Sequence, residues 1–289
     1  MSAIEIAEAL NLKRAGLAYR GDCPACGYAG TFSVTEKDGR ALWWCASCQD
    51  RDGLTAAVRS VVAGDWAAPA GAVPPLAVDP ASRTRAALAL WDASMPVSGT
   101  LAAVYLAARG LVGEASPALR FHPALRHPNA PGTFPAMVAL IVSTQTGEPV
   151  AIHRTYLRRD GSGKADLDPS KASKGPMAGG AIMLHDLRPS APLVIGEGIE
   201  SSLAAGRMMG APAWAAVAAG NMQRITPPAE PSEIIIAADP DPVGQREAWA
   251  ASDAWQAAGR RVRVAVPDTT GQDFNDLLRA RTAREATNG

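Results

Sequence analysis

The chain has 289 residues, 47% of them hydrophobic and 19% charged, the balance of a soluble globular protein long enough for two or three domains with cores of their own. Lys+Arg and Asp+Glu both number 28, so a histone-like polycation is excluded and any nucleic-acid contact has to come from local patches. No run of about 18 apolar residues occurs, and the opening MSAIEIAEALNLKRAG carries acids where a secretory signal would be basic and then apolar, which predicts a cytoplasmic protein without membrane contact.

In chain order, residues 2–20 are predicted as a short helix, because Ile4, Ile6, Ala7 and Leu10 form an apolar stripe at helical spacing. All four cysteines then fall within residues 23–48, so they belong to one local structure rather than to disulfides spread through a secreted chain. Their pattern is Cys23-x2-Cys26-x18-Cys45-x2-Cys48, two knuckles flanking a hairpin predicted from residues 31–35 and 41–44 around the turn Lys37-Asp38-Gly39-Arg40. Each knuckle offers two sulfurs to one tetrahedral Zn2+, and with all four positions filled the metal is structural. Tyr28, Phe32, Trp43 and Trp44 lie on or beside the hairpin and are candidates both for the ribbon's small core and for stacking on unpaired bases. A helix is predicted over 53–63, and the proline-rich run that follows reads as an interdomain tether. The expected organisation is a zinc-ribbon domain over 1–65, a linker over 66–80, a small basic α+β subdomain over 81–190 and a last domain over 191–289.

These segments differ in charge. Residues 1–65, 66–190 and 191–289 carry net charges of −1, +4 and −3, so an anionic substrate could lie on the basic middle and be bridged by metal ions to carboxylates at the end. The middle shows helical patterns at 82–94 and 100–109 and strands at 137–142 and 150–157. Between residues 150 and 174 six cations, Arg154, Arg158, Arg159, Lys164, Lys171 and Lys174, face three acids, and this strand with its Gly/Ser/Lys loop could bind triphosphates or a template backbone. On a strand Arg154, Tyr156 and Arg158 share one face, which either sets two cations and an aromatic against a nucleotide or is simply solvated. His153 would point to the opposite face as a satisfied interior histidine, and His122, His127 and His185 show no shared metal spacing.

From Pro192 onward strands (193–196, 213–218, 234–238, 261–266) alternate with helices (199–209, 244–258, 273–280), a pattern that predicts a parallel sheet covered on both faces. Val194-Ile195-Gly196-Glu197-Gly198 places a carboxylate just past one strand, and a second apolar strand ends in Asp239-Pro240-Asp241. Acids so close repel one another unless a cation lies between them, and Mg2+ held by carboxylates with substrate phosphates in its remaining positions resolves the conflict. Asp273, after the last strand, is equally a helix N-cap and a further metal ligand.

Glu197-Gly198 followed by Asp239-x-Asp241 resembles the Toprim domain of primases, type IA and II topoisomerases and some nucleases and recombination proteins, over roughly residues 190–285. The order zinc ribbon, basic segment, Toprim is similar to that of phage, plasmid and mobile-element primases. His153-Arg154-Thr155-Tyr156-Leu157, Gly161-Ser162-Gly163-Lys164-Ala165 and the glycines from Gly175 to Gly180 look similar to the segment before Toprim in that group. The fold class is accordingly α/β: an N-terminal zinc ribbon, a small basic α+β subdomain and a C-terminal Toprim domain with a Rossmann-like parallel sheet.

The resemblance implies that Glu197 binds metal or acts as general base, that Asp239 and Asp241 are the metal-binding pair, and that Asp273 is the later acid. Ser201 stands where some primases carry a further acid, with Glu200 one residue earlier, and Gln272 replaces a basic residue before Asp273. It further implies a DNA primase that makes short RNA primers on single-stranded DNA from nucleoside triphosphates, with Mg2+ or Mn2+ for catalysis. Its helicase would be a separate replicative partner, since no GxxxxGK[ST] phosphate loop occurs in this sequence. Two alternatives stay open. A Toprim nuclease would use the same acids to activate water, and a non-catalytic DNA-binding or recombination accessory protein would join a four-cysteine zinc site directly to Toprim, whereas here about 140 residues separate Cys48 from Pro192.

Overall fold

The computed structural model describes residues 2–25, 27, 30–45, 51–62, 80–114, 116–269 and 271–288. Cys26, Cys48, Tyr28 and residues 66–79 of the expected linker lie outside them. The chain divides into two compact units, one of Met1–Ala77 with Ala218–Gly220, the other of Val78–Val217 with Asn221–Gly289.

In the first unit, helix α1 (Ala3–Ala9) begins at Ser2, whose hydroxyl accepts from the Glu5 N–H while the Glu5 carboxylate accepts from the Ser2 N–H. The helix predicted to reach residue 20 stops at Leu10. Asn11 turns into the left-handed region (φ 54°), and a second left-handed residue, Gly16 (φ 63°), reverses the chain between strands β1 (Lys13–Ala15) and β2 (Ala18–Gly21). The apolar stripe was genuine over its first two turns; beyond them β2 pairs with β3 instead. Strands β3 (Phe32–Lys37) and β4 (Arg40–Cys45) form the expected hairpin, tightly turned because Asp38 (φ 52°) and Gly39 (φ 70°) both adopt the conformation a two-residue hairpin loop requires. With helix α2 (Arg51–Val61) they enclose a small core of Ile6, Cys23, Phe32, Val34, Cys45, Leu54 and Val58.

The second unit runs α3 (Pro80–Asp92), β5 (Met95–Pro96), α4 (Leu101–Ala108), β6 (Leu119–Arg126), β7 (Thr133–Ser143), β8 (Pro149–Tyr156), β9 (Lys171–Lys174), β10 (Gly180–Met183), β11 (Leu193–Gly196), α5 (Ile199–Met209), β12 (Ala213–Ala215), a 3-10 turn over Ala219–Arg224, β13 (Ile234–Ala237), α6 (Pro242–Ala257), β14 (Val262–Ala265) and α7 (Phe274–Asn288). Its strands make one ten-stranded sheet in the order β14-β13-β11-β12-β10-β7-β6-β5, with β8 paired to β7 and β9 to β8. Strands β14, β13, β11 and β12 are mutually parallel; β10 runs antiparallel to both β12 and β7 and joins them to the antiparallel part.

Helices cover the parallel part on both faces. Leu193 and Ile195 of β11 pack with Ala248, Ala251 and Trp255 of α6, whereas Gly196 faces α5, where a Cβ would stand 2.6 Å from the Ser202 hydroxyl. The chain therefore leaves the adjacent strands β11 and β13 toward opposite faces, and between their carboxyl ends lies the crevice in which such sheets bind ligands.

Candidate active site

Two acids stand in that crevice. Gly196 of β11 pairs with Ala237 of β13, so Glu197 and Asp239 follow neighbouring strand ends. The Glu197 carbonyl accepts the N–H of Val217, a residue held at φ 73°. The Asp239 Oδ1 is buried without a hydrogen-bond partner, and the carboxyl is pushed up to about 7 by burial, then by the negative charges of Glu197, Asp273 and Asp241, against the opposing pull of Lys171. The first turn of α6 lies directly on Asp239: a Cβ on Gly244 would come 2.9 Å from the Asp239 Cβ.

Asp241 is exposed and caps α6, its Oδ1 accepting from the N–H groups of Val243 (2.9 Å) and Gly244 (2.8 Å), with Pro242 in the first helical position. Asp273 caps α7. Its Oδ1 accepts the Asp276 N–H at 2.8 Å, its Oδ2 accepts the Ser201 hydroxyl at 3.2 Å, and its charge still reaches Asp239.

The basic segment faces this site with part of its expected set. Lys171, at the start of β9, acts on the charges of both Asp239 and Glu200, and Lys164 brings its Nζ to 3.6 Å from Glu200 Oε1. Lys174 ends β9, and Arg158 is exposed and ion-pairs with Asp166 at 3.3 Å. The expected nucleotide-facing row of Arg154, Tyr156 and Arg158 is not assembled at a surface. Tyr156 is fully buried against α3 residues Ala87 and Trp91, with its hydroxyl donating to the Arg126 carbonyl at 2.7 Å. Arg154 is buried too and donates to the carbonyls of Ala172 (3.2 Å) and Ser173 (3.3 Å) and to the Tyr156 hydroxyl (3.1 Å). Helix α3 covers this face and the neighbouring strand β9 supplies carbonyl acceptors, so its polar groups are consumed in the protein. His153 lies on the opposite face, its Nδ1 3.1 Å from the Ser173 hydroxyl, and burial followed by the Lys171 charge holds its imidazole down at about 3.

A further cluster had no strong signal in the sequence. Glu200, in the first turn of α5, is buried and accepts a hydrogen bond from the Tyr105 hydroxyl of α4 on the same oxygen that Lys164 approaches. Against the burial that pushes it up, Lys164, Lys171 and the Tyr105 hydroxyl hold its carboxyl at about 2. The Arg109 guanidinium lies 5.9 Å above the Tyr105 ring, and the Arg109 carbonyl accepts from the Asn275 side chain of α7 at 2.7 Å. That Glu200 follows Glu197 by three residues was visible in the sequence; that Tyr105, 95 residues away, would meet it was not.

In the first unit Cys23 and Cys45, one sulfur from each knuckle, are buried in the same small core. The strand register lines up Lys13, Arg20, Ser33 and Trp44 across one face of the four-stranded sheet. Trp44 is 41% exposed there, while Trp43, on the other face, packs on the core. A basic row ending in an accessible aromatic suits a single-stranded nucleic acid.

Among the described residues no three His, Cys, Asp or Glu side chains stand together as a closed metal cage. Mg2+ does not require one, being held by one or two carboxylates with substrate phosphates completing its shell, and the buried, partnerless Asp239 oxygen among repelling acids fits such an ion.

These features define the class, and the comparisons with known proteins agree with it: residues 192–284 match the Toprim domain family. Residues 18–54 match the zinc-binding domain of primase-helicase, and together the two give the chain the domain composition of a Toprim primase with an N-terminal zinc ribbon. Residues 81–184 match a domain of unknown function (DUF7146). No curated protein matches the chain. Similar solved structures include a DNA primase domain from Pseudomonas aeruginosa (18% identity, covering 70% of this chain and 77% of that one, TM-score 0.47) and the zinc-binding and RNA polymerase domains of the Aquifex aeolicus primase (13%, 100% and 85%, TM-score 0.46). A third is the primase fragment of the bacteriophage T7 primase-helicase protein (15%, 94% and 98%, TM-score 0.41). No described helix is long and apolar enough to cross a membrane.

Proposed function

We propose that this protein is a DNA primase, which joins nucleoside triphosphates into short RNA primers on a single-stranded DNA template. The observation that carries the reading is the juxtaposition of the strand-end acids around Asp239 with Lys171, whose charge acts on Asp239 and also on Glu200, the partner of Lys164, an arrangement matched to a polyanion and a divalent cation together.

In this reading Asp239 and Asp241 would hold Mg2+ or Mn2+, which when bound screens the carboxylates and offsets charge on the transferring phosphoryl group. Lys164 and Lys171 bind the triphosphate, and Glu197 takes the proton of the 3′-hydroxyl. That oxygen bonds to the α-phosphorus as the bond to the leaving pyrophosphate breaks. Asp273 positions α7 and adds negative charge behind Asp239. The four thiolates Cys23, Cys26, Cys45 and Cys48 would hold a structural Zn2+, and the face carrying Trp44 and its row of cations would contact the template. Unwinding of duplex would fall to a separate helicase.

The test is to incubate the zinc-loaded protein with pooled single-stranded DNA, labelled nucleoside triphosphates and Mg2+ or Mn2+, beside an Asp239→Ala/Asp241→Ala variant. Template-dependent oligonucleotides made only by the intact protein are expected. Binding of DNA without product by either protein would instead mark an accessory factor, and shortening of the template by the intact protein alone would mark a nuclease.

A further inference from the structure

Glu200 has no part in the reaction as just described, yet it ties three elements together beside the acids. The loop that carries Lys164 is cross-linked by its own hydrogen bonds. Leu157 and Lys164 bridge across it, the Arg158 N–H donates to the Gly163 carbonyl and the Gly161 N–H to the Arg158 carbonyl, both at 2.9 Å, and Asp160 accepts from both the N–H and the hydroxyl of Ser162. Gly161 (φ 72°) is pressed against α4, where a Cβ would stand 3.0 Å from the Val104 side chain and 3.1 Å from the Leu101 carbonyl.

Lys164 emerges from this clamp with its side chain only 27% exposed and its ammonium against Glu200, itself buried. A lysine is seldom buried this far without a partner, and an ammonium has three donors, so one carboxylate oxygen that it shares with Tyr105 leaves it capacity for another anion. Lys171 links the two clusters, since its charge acts on Glu200 and on Asp239 alike.

We infer that Glu200 is a positioning residue: its ion pair holds the Lys164 ammonium at the first turn of α5, the helix that follows Glu197, to receive a phosphate of the incoming nucleotide, and the Tyr105 hydroxyl fixes the orientation of that carboxylate. The inference rests on the nucleotidyl-transfer reading, in which the triphosphate is the anion. A purely structural pair would tie α4, the loop and α5 together without affecting nucleotide affinity, and the two roles separate in a double-mutant cycle.

The experiment measures equilibrium binding of ATP with Mg2+ to the full chain by calorimetry, with KM and kcat for primer synthesis and the melting temperature alongside. Lys164→Met is expected to weaken ATP binding about tenfold and Glu200→Gln about fivefold, with the double variant no weaker than Lys164→Met alone, because the second residue acts through the first. KM should rise in Glu200→Gln more than kcat falls, and Glu200→Asp should recover part of the affinity. Tyr105→Phe, which leaves both charges in place, should cost about twofold and keeps the inference testable if Glu200→Gln does not fold. Wild-type affinity in Glu200→Gln or in a folded Tyr105→Phe, or losses that multiply in the double variant, would overturn the inference and leave the proposed function standing. Absence of ATP binding by the wild-type protein would overturn both.

Discussion

A buried titratable side chain can serve stability only in the protonation state its surroundings permit, and His153 is such a group. It sits fully inside the antiparallel part of the sheet, against the Ser173 hydroxyl and within the field of Lys171, Arg154 and Lys164, all of which disfavour an imidazolium; Glu200 is the nearby charge that favours it. Its folded pKa of about 3 lies below the unfolded 6.5, so its contribution is fully present above pH 6.5 and is lost as pH falls toward 3, because only the unfolded chain then takes up the proton. Between pH 8 and pH 5 the wild-type protein is expected to lose on the order of 1–2 kcal/mol through this residue. The urea midpoint of His153→Gln, which keeps a donor for Ser173 and does not titrate, should fall less over that interval. Parallel curves for the two proteins would show that His153 can charge in place.

Among whole elements, the regular ones were legible where a single physical signal dominated. The central parallel strands β11 and β13 follow from short apolar runs, one ending in a glycine and the other followed by a carboxylate, and the ribbon hairpin follows from Asp38-Gly39 between alternating segments. Strands β6, β9 and β10 carried no such signal. β6 contains Pro123 where its register shifts between His122 and Leu125, β9 is the polar run Lys-Ala-Ser-Lys, and the four residues of β10 begin with a glycine; each owes its pairing to β7 or β8 rather than to its own pattern. The candidate site divides the same way. Its acids stand at strand ends and could be read directly, whereas the burial of Tyr156 beneath α3 and the meeting of Tyr105 with Glu200 depend on packing between distant segments.

Asp241 shows how one residue serves two scales, since it caps α6 and also contributes charge at Asp239. Asparagine can accept the same two N–H bonds but carries no charge, so Asp241→Asn should unfold near the wild-type midpoint while Asp241→Ala loses about 1 kcal/mol. On the proposed primase reading, primer synthesis should fall by roughly two orders of magnitude or more in both. Activity retained by the asparagine variant and lost by alanine would reduce Asp241 to a cap.

At the level of the whole molecule the two units draw on different sources of stability. The second holds a ten-stranded sheet with helices on both faces of its parallel part, whereas among the described residues the first encloses a small cluster of buried apolar side chains, two of them the thiols Cys23 and Cys45. A core of that size is marginal on its own, and binding of Zn2+ to four thiolates is the kind of term that would complete it. Stripping the metal from the full chain with a strong chelator should therefore melt the first unit selectively. Calorimetry is expected to show one transition lost or moved down by tens of degrees and the other unchanged, and the emission of Trp43 should shift to the red as it leaves the core. Binding of single-stranded DNA should weaken about tenfold or more while ATP binding to the second unit stays at its metal-replete value, because the aromatic and cationic row belongs to one unit and the lysines and acids to the other. Loss of ATP binding on chelation would mean that the proposed nucleotide site needs the ribbon to be folded, and an unchanged melting profile would remove zinc from the account of the first unit's stability.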